Sequence, residues 1–545
     1  MNNNSLKKME RVLLIIFIVL GVIAIAGVIL LIRFGNNTSN NEGNQSEEEQ
    51  QVGEQTYDWE AGLSDNTLWL PNNCEIYSKI PEFTFFDEQG NTHSISDFEG
   101  KPTVVVFWAS WCSDCQEQMP IMNQYIQSSK AYGDVQFIFV NKTDGEKETE
   151  DSAISYFQNL GIDETLYFDK ELDAYNTLGI HNIPTTLFIN EDGIITEWSP
   201  KQITEVTKFD ALLKKALFGG SYATSDFITS RMMDDEGAIH SSYDETSSST
   251  FSSDVLSESE GAMLEYAILS EKQELFDQIL DYIQTNLGDE GLTPWVISTS
   301  QTSKVNALVD DLRIYKSIDG AQQLWGGYEK ILEQYKKLLI TYGTYNGKFV
   351  DFYDADSKEY ASRFTLCYGD LKAMKLLAEG NSDVKVTYDS CESIVVNGQI
   401  SNDFPLYYSW YNYSDKKYEK DELNTAEAML TLLHLAEVDL LPDNTLSWIE
   451  TQMQQSGVKA RYTVDGTISE GYNYDSTAVY ALIAMIGVEE GDKTLINEAV
   501  KKMEKMRIDD DSLDYNGAFG MEDGSGISSF DQVMPLITYM KIYGK

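Results

Sequence analysis

A membrane-spanning helix, an α/β unit on a central sheet and a large all-α unit follow one another in this 545-residue chain. Three observations predict that order. Val12–Ile32 runs 21 residues without a charge, Val104–Trp108 leads into Cys112-Ser113-Asp114-Cys115 and a helical stretch, and beyond Gly219 apolar residues recur at helical spacing. A domain holds roughly 100–200 residues, so a chain of this length carries several cores. A hydrophobic content of 42%, with 12% aromatic residues, excludes a disordered or collagenous polymer. Eighty-eight acidic residues against 40 basic ones leave a net charge of −48, which repels phosphate backbones and excludes a nucleic-acid partner. Five cysteines and four histidines exclude a disulfide-stapled miniprotein and a His-rich metal site. No metal and no cofactor are expected.

The front end sets the compartment. About 20 apolar residues cross a ~30 Å hydrocarbon core. The run continues past Ala24-Ile25-Ala26, longer than the apolar region of a cleaved signal peptide, so residues 12–32 read as an uncleaved transmembrane anchor. Lys7, Lys8 and Arg11 precede it, and no basic residue follows Arg33 until Lys79. The positive-inside rule therefore leaves residues 1–11 in the cytoplasm and the bulk of the chain outside the cell membrane. Residues 33–76, rich at first in Asn, Ser, Gly, Gln and Glu, read as a solvated acidic linker.

Residues 77–218 alternate strand and helix: Val104–Trp108, the cysteine pair, a helix over 116–132 containing Pro120, the strand Val135–Val140, and the region Ile180–Ile189. A CxxC at the start of a helix places its first sulfur beside unpaired N–H groups and the positive end of the helix dipole, which favours the attacking thiolate. Cys112 is then the nucleophile on a client disulfide, and Cys115, one turn on, releases the mixed disulfide and closes the Cys112–Cys115 bridge. A four-cysteine zinc site needs a second CxxC, which this chain lacks. Asp114, between the cysteines, is expected to disfavour the Cys112 thiolate relative to a neutral residue there and so to favour the disulfide form, making the pair a reductant.

The stretch Val105-Val106-Phe107-Trp108-Ala109-Ser110-Trp111-Cys112-Ser113-Asp114-Cys115, with Met119-Pro120 and Ile183-Pro184-Thr185-Thr186, resembles the thioredoxin superfamily, specifically TlpA-like membrane-tethered thiol–disulfide oxidoreductases. The resemblance implies a thioredoxin-like fold and a cis Pro184 facing the cysteine pair. Trp111 is an expected contact for substrate. Extracytoplasmic protein thiols and disulfides are the expected clients, and a membrane dithiol is the expected electron donor. One departure is Gln118, where several relatives carry a proton-shuttling Glu.

Residues 219–545 contain many 10–16-residue apolar-periodic windows joined by short polar loops, which predicts a toroid of paired helices. Its candidate chemistry lies in carboxylates: Glu260 at a helix start, the Asp310-Asp311 pair near Arg313, and Asp475 before another helix. The aromatic run Phe404–Tyr413, with Trp410, suits a sugar cleft or ordinary packing. Ser257-Glu258-Ser259-Glu260-Gly261, Asn306–Ile314 and Tyr474-Asp475-Ser476 resemble, in that order, the motifs of glycoside hydrolase family 8. The resemblance implies an (α/α)6 barrel cleaving a polysaccharide with inversion. Glu260 would be general acid, Asp475 general base, and Asp310 or Asp311 would hold the sugar. Two departures stand out: the Asp-x-Asp-x-Asp run is reduced to Asp310-Asp311 followed by Arg313, and Ala478 replaces an expected arginine. Cys367 and Cys391 either pair as a structural disulfide or stay free and buried, and Cys74 is left over.

The intact redox motifs rank an anchored thiol–disulfide oxidoreductase first. A surface glycan hydrolase with an accessory redox unit comes next, and a non-catalytic glycan-binding wall protein third.

Overall fold

The computed structural model describes residues 75–128, 135–243, 254–298, 302–510 and 512–543. The expected span Val12–Ile32, most of the linker and Cys74 lie outside them. Among the described residues no helix is long and apolar enough to cross a membrane.

The first part is a seven-stranded sheet in the order β2-β1-β5-β4-β3-β6-β7. Its strands are β1 (Thr84–Asp87), β2 (Thr92–Ser94), β3 (Thr103–Trp108), β4 (Gln136–Asn141), β5 (Leu166–Phe168), β6 (Thr185–Ile189) and β7 (Ile195–Ser199). Every residue of β3 is buried, which is why it reads as an unbroken apolar run rather than an alternating one: both faces of a central strand are covered. β3 runs parallel to β4 and antiparallel to β6, with Phe107 opposite Thr185 and Thr103 opposite Ile189. The helices are α1 (Ser113–Ser128), α2 (Glu150–Leu160), α3 (Asp173–Leu178) and α4 (Val206–Phe218).

Beyond a short helix α5 (Ser221–Phe227), eleven helices among the described residues fold as six inner-ring helices and five outer ones. The inner ring is α6 (Ser257–Leu269), α8 (Leu308–Leu324), α10 (Leu371–Ala378), α12 (Thr425–Ala436), α14 (Thr477–Glu490) and α16 (Ser529–Tyr543). Each packs on the next, and α16 closes on α6. Between them come α7 (Gln273–Thr285), α9 (Glu329–Tyr342), α11 (Ser382–Val396), α13 (Asp443–Met453) and α15 (Lys493–Glu504). Side-chain pattern sorts the two layers. In α14 all residues from Thr477 to Gly487 are buried, whereas α7 buries Phe276, Ile279, Leu280 and Ile283 at i, i+3, i+4 and i+7. A helix apolar all round belongs inside, and a one-faced helix covers it.

The two parts share one compact unit. Tyr77, at φ +64°, inserts into the apolar cluster of the barrel. Lys215 on α4 bridges Glu197 at 2.8 Å and Asp509 at 2.6 Å, Lys493 reaches Asp192 at 2.5 Å, and Lys501 reaches Glu75 at 2.7 Å. The joint turns on Arg507, whose guanidinium meets Glu504, Thr224, the Gly517 carbonyl and Tyr539. Gly220 exists to admit it, since a Cβ there would lie 1.8 Å from Nη2. Arg507→Met leaves the largely covered Glu504 carboxylate without its cation. The expected cost is about 3–5 kcal/mol, read as an earlier calorimetric unfolding transition.

Candidate functional site

Two chemically equipped places emerge. The first is where β3 hands over to α1. Cys112 precedes the first residue of the helix, the Cys115 N–H donates to its sulfur at 3.3 Å, and the Cys112 thiol donates to the Ile183 carbonyl at 3.3 Å. The Ile183–Pro184 bond is cis. The structure holds Cys112 and Cys115 as a free dithiol. Cys112 is 7% exposed and Cys115 fully buried, so an incoming disulfide meets Cys112 first. Burial, reinforced by the Cys112 sulfur, pushes the Cys115 thiol far up and keeps it protonated until a client docks. Exposed Trp111 flanks the pair, with the Lys147 ammonium 3.3 Å from its ring centroid.

The supporting shell includes residues no motif announced. Glu148, fully buried, accepts from the Ser110 N–H at 2.9 Å, the Ser110 hydroxyl at 2.8 Å and Asn141 at 2.9 Å, and so fixes the turn that presents Cys112. Gln118 ties α1 to the sheet: its amide donates to Thr186 at 2.9 Å and accepts from the Ile203 N–H at 2.8 Å. Both ends of that amide are engaged in structure, in place of a proton-carrying carboxyl. The dithiol lies at the Phe107–Thr185 end of the sheet, whereas the barrel touches Glu75, Tyr77 and Asp192, near the Asn190–Gly193 turn at the far end of β6.

The second place is one end of the barrel, where the first turns of the inner helices converge. Glu258 of α6, Asp310 of α8, Glu427 of α12 and Asp531 of α16 each lie in such a turn. Asp310 accepts from the Ser257 hydroxyl at 2.5 Å; Asp531 accepts from Ser528 at 2.8 Å and the Ala478 N–H at 3.1 Å. In the loop before α10, Asp351 accepts from the Thr365 N–H at 2.6 Å and hydroxyl at 2.7 Å and pairs with Arg363 at 3.3 Å. The Arg363 guanidinium in turn lies 4.8 Å over Trp410, whose indole N–H donates to Asp421 at 2.7 Å. Burial raises Glu258 to about 8, with the Asp310 charge adding to it and Arg313 opposing; burial raises Asp310 to about 6, against its Ser257 bond and Arg313. Glu427 is raised by burial while Arg461 and Arg363 favour its charged form.

Three of the carboxylates expected from the sequence face elsewhere. Glu260 turns to the outer layer, where its carboxylate accepts from the Ile239 N–H at 2.7 Å and burial pushes it well up. Asp311 turns to Asn306, at 2.6 Å, and is pushed up to about 7 by burial. Asp475 is an exposed rim residue held by Lys459 and Tyr480, both at 2.7 Å. The reason is helical phase: residues two apart differ by about 200°, so with Glu260 outward Glu258 points in, and adjacent Asp310 and Asp311 differ by about 100°. Of the two alternatives left open for Cys367 and Cys391, the structure has both as free buried thiols, with Cys391 against the Met374 sulfur.

Deeper in the barrel Asp370, His434 and Glu437 gather with metal-ligand chemistry. The cation there belongs to the chain itself. The Lys316 ammonium is 2.8 Å from Asp370 and 3.9 Å from Glu437, and Lys541 reaches Glu437 at 3.3 Å.

Comparison with known proteins agrees with both halves. Residues 76–198 match the AhpC/TSA family. Over 122 residues the chain is 28% identical to the thiol-disulfide oxidoreductase ResA of Geobacillus kaustophilus (strain HTA426), covering 22% of this chain and 67% of that protein. The first part is a thioredoxin-like thiol–disulfide oxidoreductase domain. A second relative, YdaJ of Bacillus subtilis (strain 168), is 28% identical over 325 residues, 58% of this chain and 86% of that protein. A solved structure described as an alpha-amylase from Clostridium perfringens superposes with a TM-score of 0.55 at 26% identity, covering 59% of this chain and 98% of that one. The helical part is therefore a glycosidase-like barrel fused behind the redox domain.

Proposed function

We propose that this chain is a membrane-anchored extracytoplasmic thiol–disulfide oxidoreductase acting as a reductant, fused to a barrel that hydrolyses a polysaccharide. The observation that carries the redox half is the Cys112 sulfur, the more accessible member of a dithiol at a helix start beside cis Pro184. Its thiolate attacks one sulfur of a client disulfide, and the other client sulfur leaves as a thiolate. Cys115 then attacks Cys112, releasing the second client thiol and leaving the Cys112–Cys115 disulfide. A membrane dithiol carrier returns the two electrons. Because the dithiol lies at the end of the sheet away from the barrel contacts, the client is a separate molecule rather than Cys367 or Cys391. Client trapping by Cys115→Ala in the full chain, followed by identification of the adduct, tests this reading.

Asp114 supports the reducing direction. It is exposed next to the pair, and its charge disfavours ionisation of the Cys115 thiol. Asp114→Asn is expected to raise the reduction potential by about 10–20 mV, a two- to five-fold change in the exchange constant. Equilibration with glutathione measures it, and an unchanged or lower potential rejects the role.

In the barrel, Glu258 serves as general acid toward the glycosidic oxygen. Glu427, flanked by Arg461 and Arg363, serves as the base that takes a proton from the attacking water, and Asp310 holds the sugar. Trp410, with Arg363 on its ring, supplies a sugar-stacking face. Reducing-end release from a panel of α- and β-linked glycans tests the activity and sets the linkage.

A further inference from the structure

We propose that Arg461, with Tyr472 and Tyr474, forms a glycan-binding subsite at the rim of the barrel that grips two neighbouring hydroxyls of a neutral sugar beside Glu427. This deepens the hydrolase reading, and rests on it for the part Glu427 plays in the reaction.

Backbone pairing puts Arg461 there. The short strand Arg461–Tyr462 runs antiparallel to Leu423–Asn424, with Arg461 opposite Asn424 and Tyr462 opposite Leu423. Asn424 caps α12, accepting from the Ala426 N–H at 3.1 Å, and Glu427 stands in the first turn of that helix. On its other side the strand meets the segment before α14. The Ala460 N–H donates to the Tyr474 carbonyl at 3.1 Å, and the Ala478 N–H in the first turn of α14 donates to Asp531 at 3.1 Å. Arg461 therefore lies between two helix starts, at the end of the barrel where the carboxyls gather. Alternation along the strand decides which way it points. Tyr462 and Leu423 belong to the apolar core, so Arg461 and Asn424 take the opposite face.

The guanidinium has no acceptor in the protein. Four of the five arginines among the described residues have a carboxylate within 4 Å: Arg231 with Asp514, Arg313 with Glu265, Arg363 with Asp351, and Arg507 with Glu504. Arg461 has none among those residues, in a chain of 88 acidic side chains, and its Nε is covered without a hydrogen-bond partner. It is seated instead on the Tyr472 ring, whose centroid lies 4.7 Å from the guanidinium carbon. A planar guanidinium on a ring keeps its fork of donors pre-organised, and a donor left unbonded costs stability that a bound acceptor offsets. Beside it Tyr474, 43% exposed and 6.1 Å from Tyr472 between ring centroids, offers an apolar face to a sugar ring. Arg363 has the same aromatic seat, over Trp410, but its charge is already matched by Asp351.

Charge chooses the occupant. Asp310, Glu427 and Asp531 share this end of the barrel with Asp351, so a glycan bearing carboxylates or phosphates is repelled as it enters. An amino sugar is repelled by Arg461 itself. A neutral sugar brings hydroxyl oxygens that accept from the fork and adds no charge.

The test is calorimetric titration of the full chain, carrying Glu258→Gln so that no ligand is consumed. The probes are neutral hexasaccharides (cellohexaose, laminarihexaose and maltohexaose), an acidic one (hexagalacturonate) and a basic one (the chitosan hexamer). A neutral probe is expected to bind, and adding Arg461→Gln to weaken it about 10- to 100-fold at an unchanged unfolding temperature. Arg461→Lys keeps the charge but loses the fork, and is expected to weaken it at least about threefold. With Glu258 restored, both changes raise KM more than they lower kcat. A folded Arg461→Gln with native affinity overturns the proposal, as does a parent chain that binds only a charged hexamer or none. Should Arg461→Gln misfold, native affinity in Arg461→Lys overturns it. Neutral binding that needs Arg461, in a chain that hydrolyses none of these glycans, upholds the subsite and rejects the hydrolase reading; hydrolysis with KM untouched by Arg461→Gln does the reverse.

Discussion

Insulin-disulfide reduction by the full chain is expected to fall to background in Cys112→Ser, a loss of at least about three orders of magnitude, while Cys115→Ala accumulates a covalent adduct with its client. Both outcomes follow from the unequal exposure of the two sulfurs. Only Cys112 of the two is reached from solvent, and it stands at the helix start with the Cys115 N–H 3.3 Å from its sulfur. Cys115 is buried and its thiol is pushed up, so it cannot substitute as the attacking group; its part comes after the mixed disulfide has formed. A serine hydroxyl in place of Cys112 exchanges with no disulfide. An alanine in place of Cys115 leaves attack intact and removes the sulfur that resolves the product. Turnover persisting in Cys112→Ser, measured against the wild type under the same reductant, would end the redox reading.

What the sequence discloses differs sharply between the two sites. At the redox centre, function is written in contiguous residues. The apolar β3 run, the CxxC and Ile183-Pro184-Thr185 fix the fold, the nucleophile and the facing proline, because one strand–turn–helix junction holds most of the chemistry. Glu148 escaped because it reaches Ser110 from a long loop after β4, and no local pattern records that return. In the barrel the helices themselves are legible, but their rotation is not. An inner helix such as α6 is buried at Ser257 and from Ser259 through Leu264, with Glu258 half-buried, so the sequence shows no polar face to phase it, and Glu258 and Glu260 look alike in Ser-Glu-Ser-Glu-Gly. A usable signal did exist: Asn424 with Glu427 and Ser528 with Asp531 are cap-and-third-residue pairs opening apolar helices, which places their carboxyls at helix starts. First turns of inner helices converge on one end of the barrel, and Glu258, Asp310, Glu427 and Asp531 gather there.

That phase argument gives the second large expected effect. Glu258→Gln is expected to lose hydrolysis by about three orders of magnitude or more, because a general acid without a proton leaves the glycosidic oxygen to depart as an alkoxide. Glu260→Gln, whose side chain meets only the Ile239 N–H and the outer layer, is expected to stay within a few-fold of wild type. The pH profile follows from the pair. Activity needs Glu258 protonated as the acid and Glu427 ionised as the base: it declines as pH rises through an upper value near 8 that belongs to the coupled Glu258–Asp310 pair, and burial of Glu427 lifts the acidic limb above the usual carboxylate range. Stability moves the other way. A carboxyl whose folded pKa is raised contributes fully below its unfolded value near 4.3, and the contribution is lost as pH rises towards 8. Glu258→Gln removes that burden, so at pH 8 the variant should unfold at a higher temperature than the wild type while showing no hydrolysis. An inactive variant that unfolds earlier would instead point to a structural role for Glu258, and an active one would remove it from the chemistry.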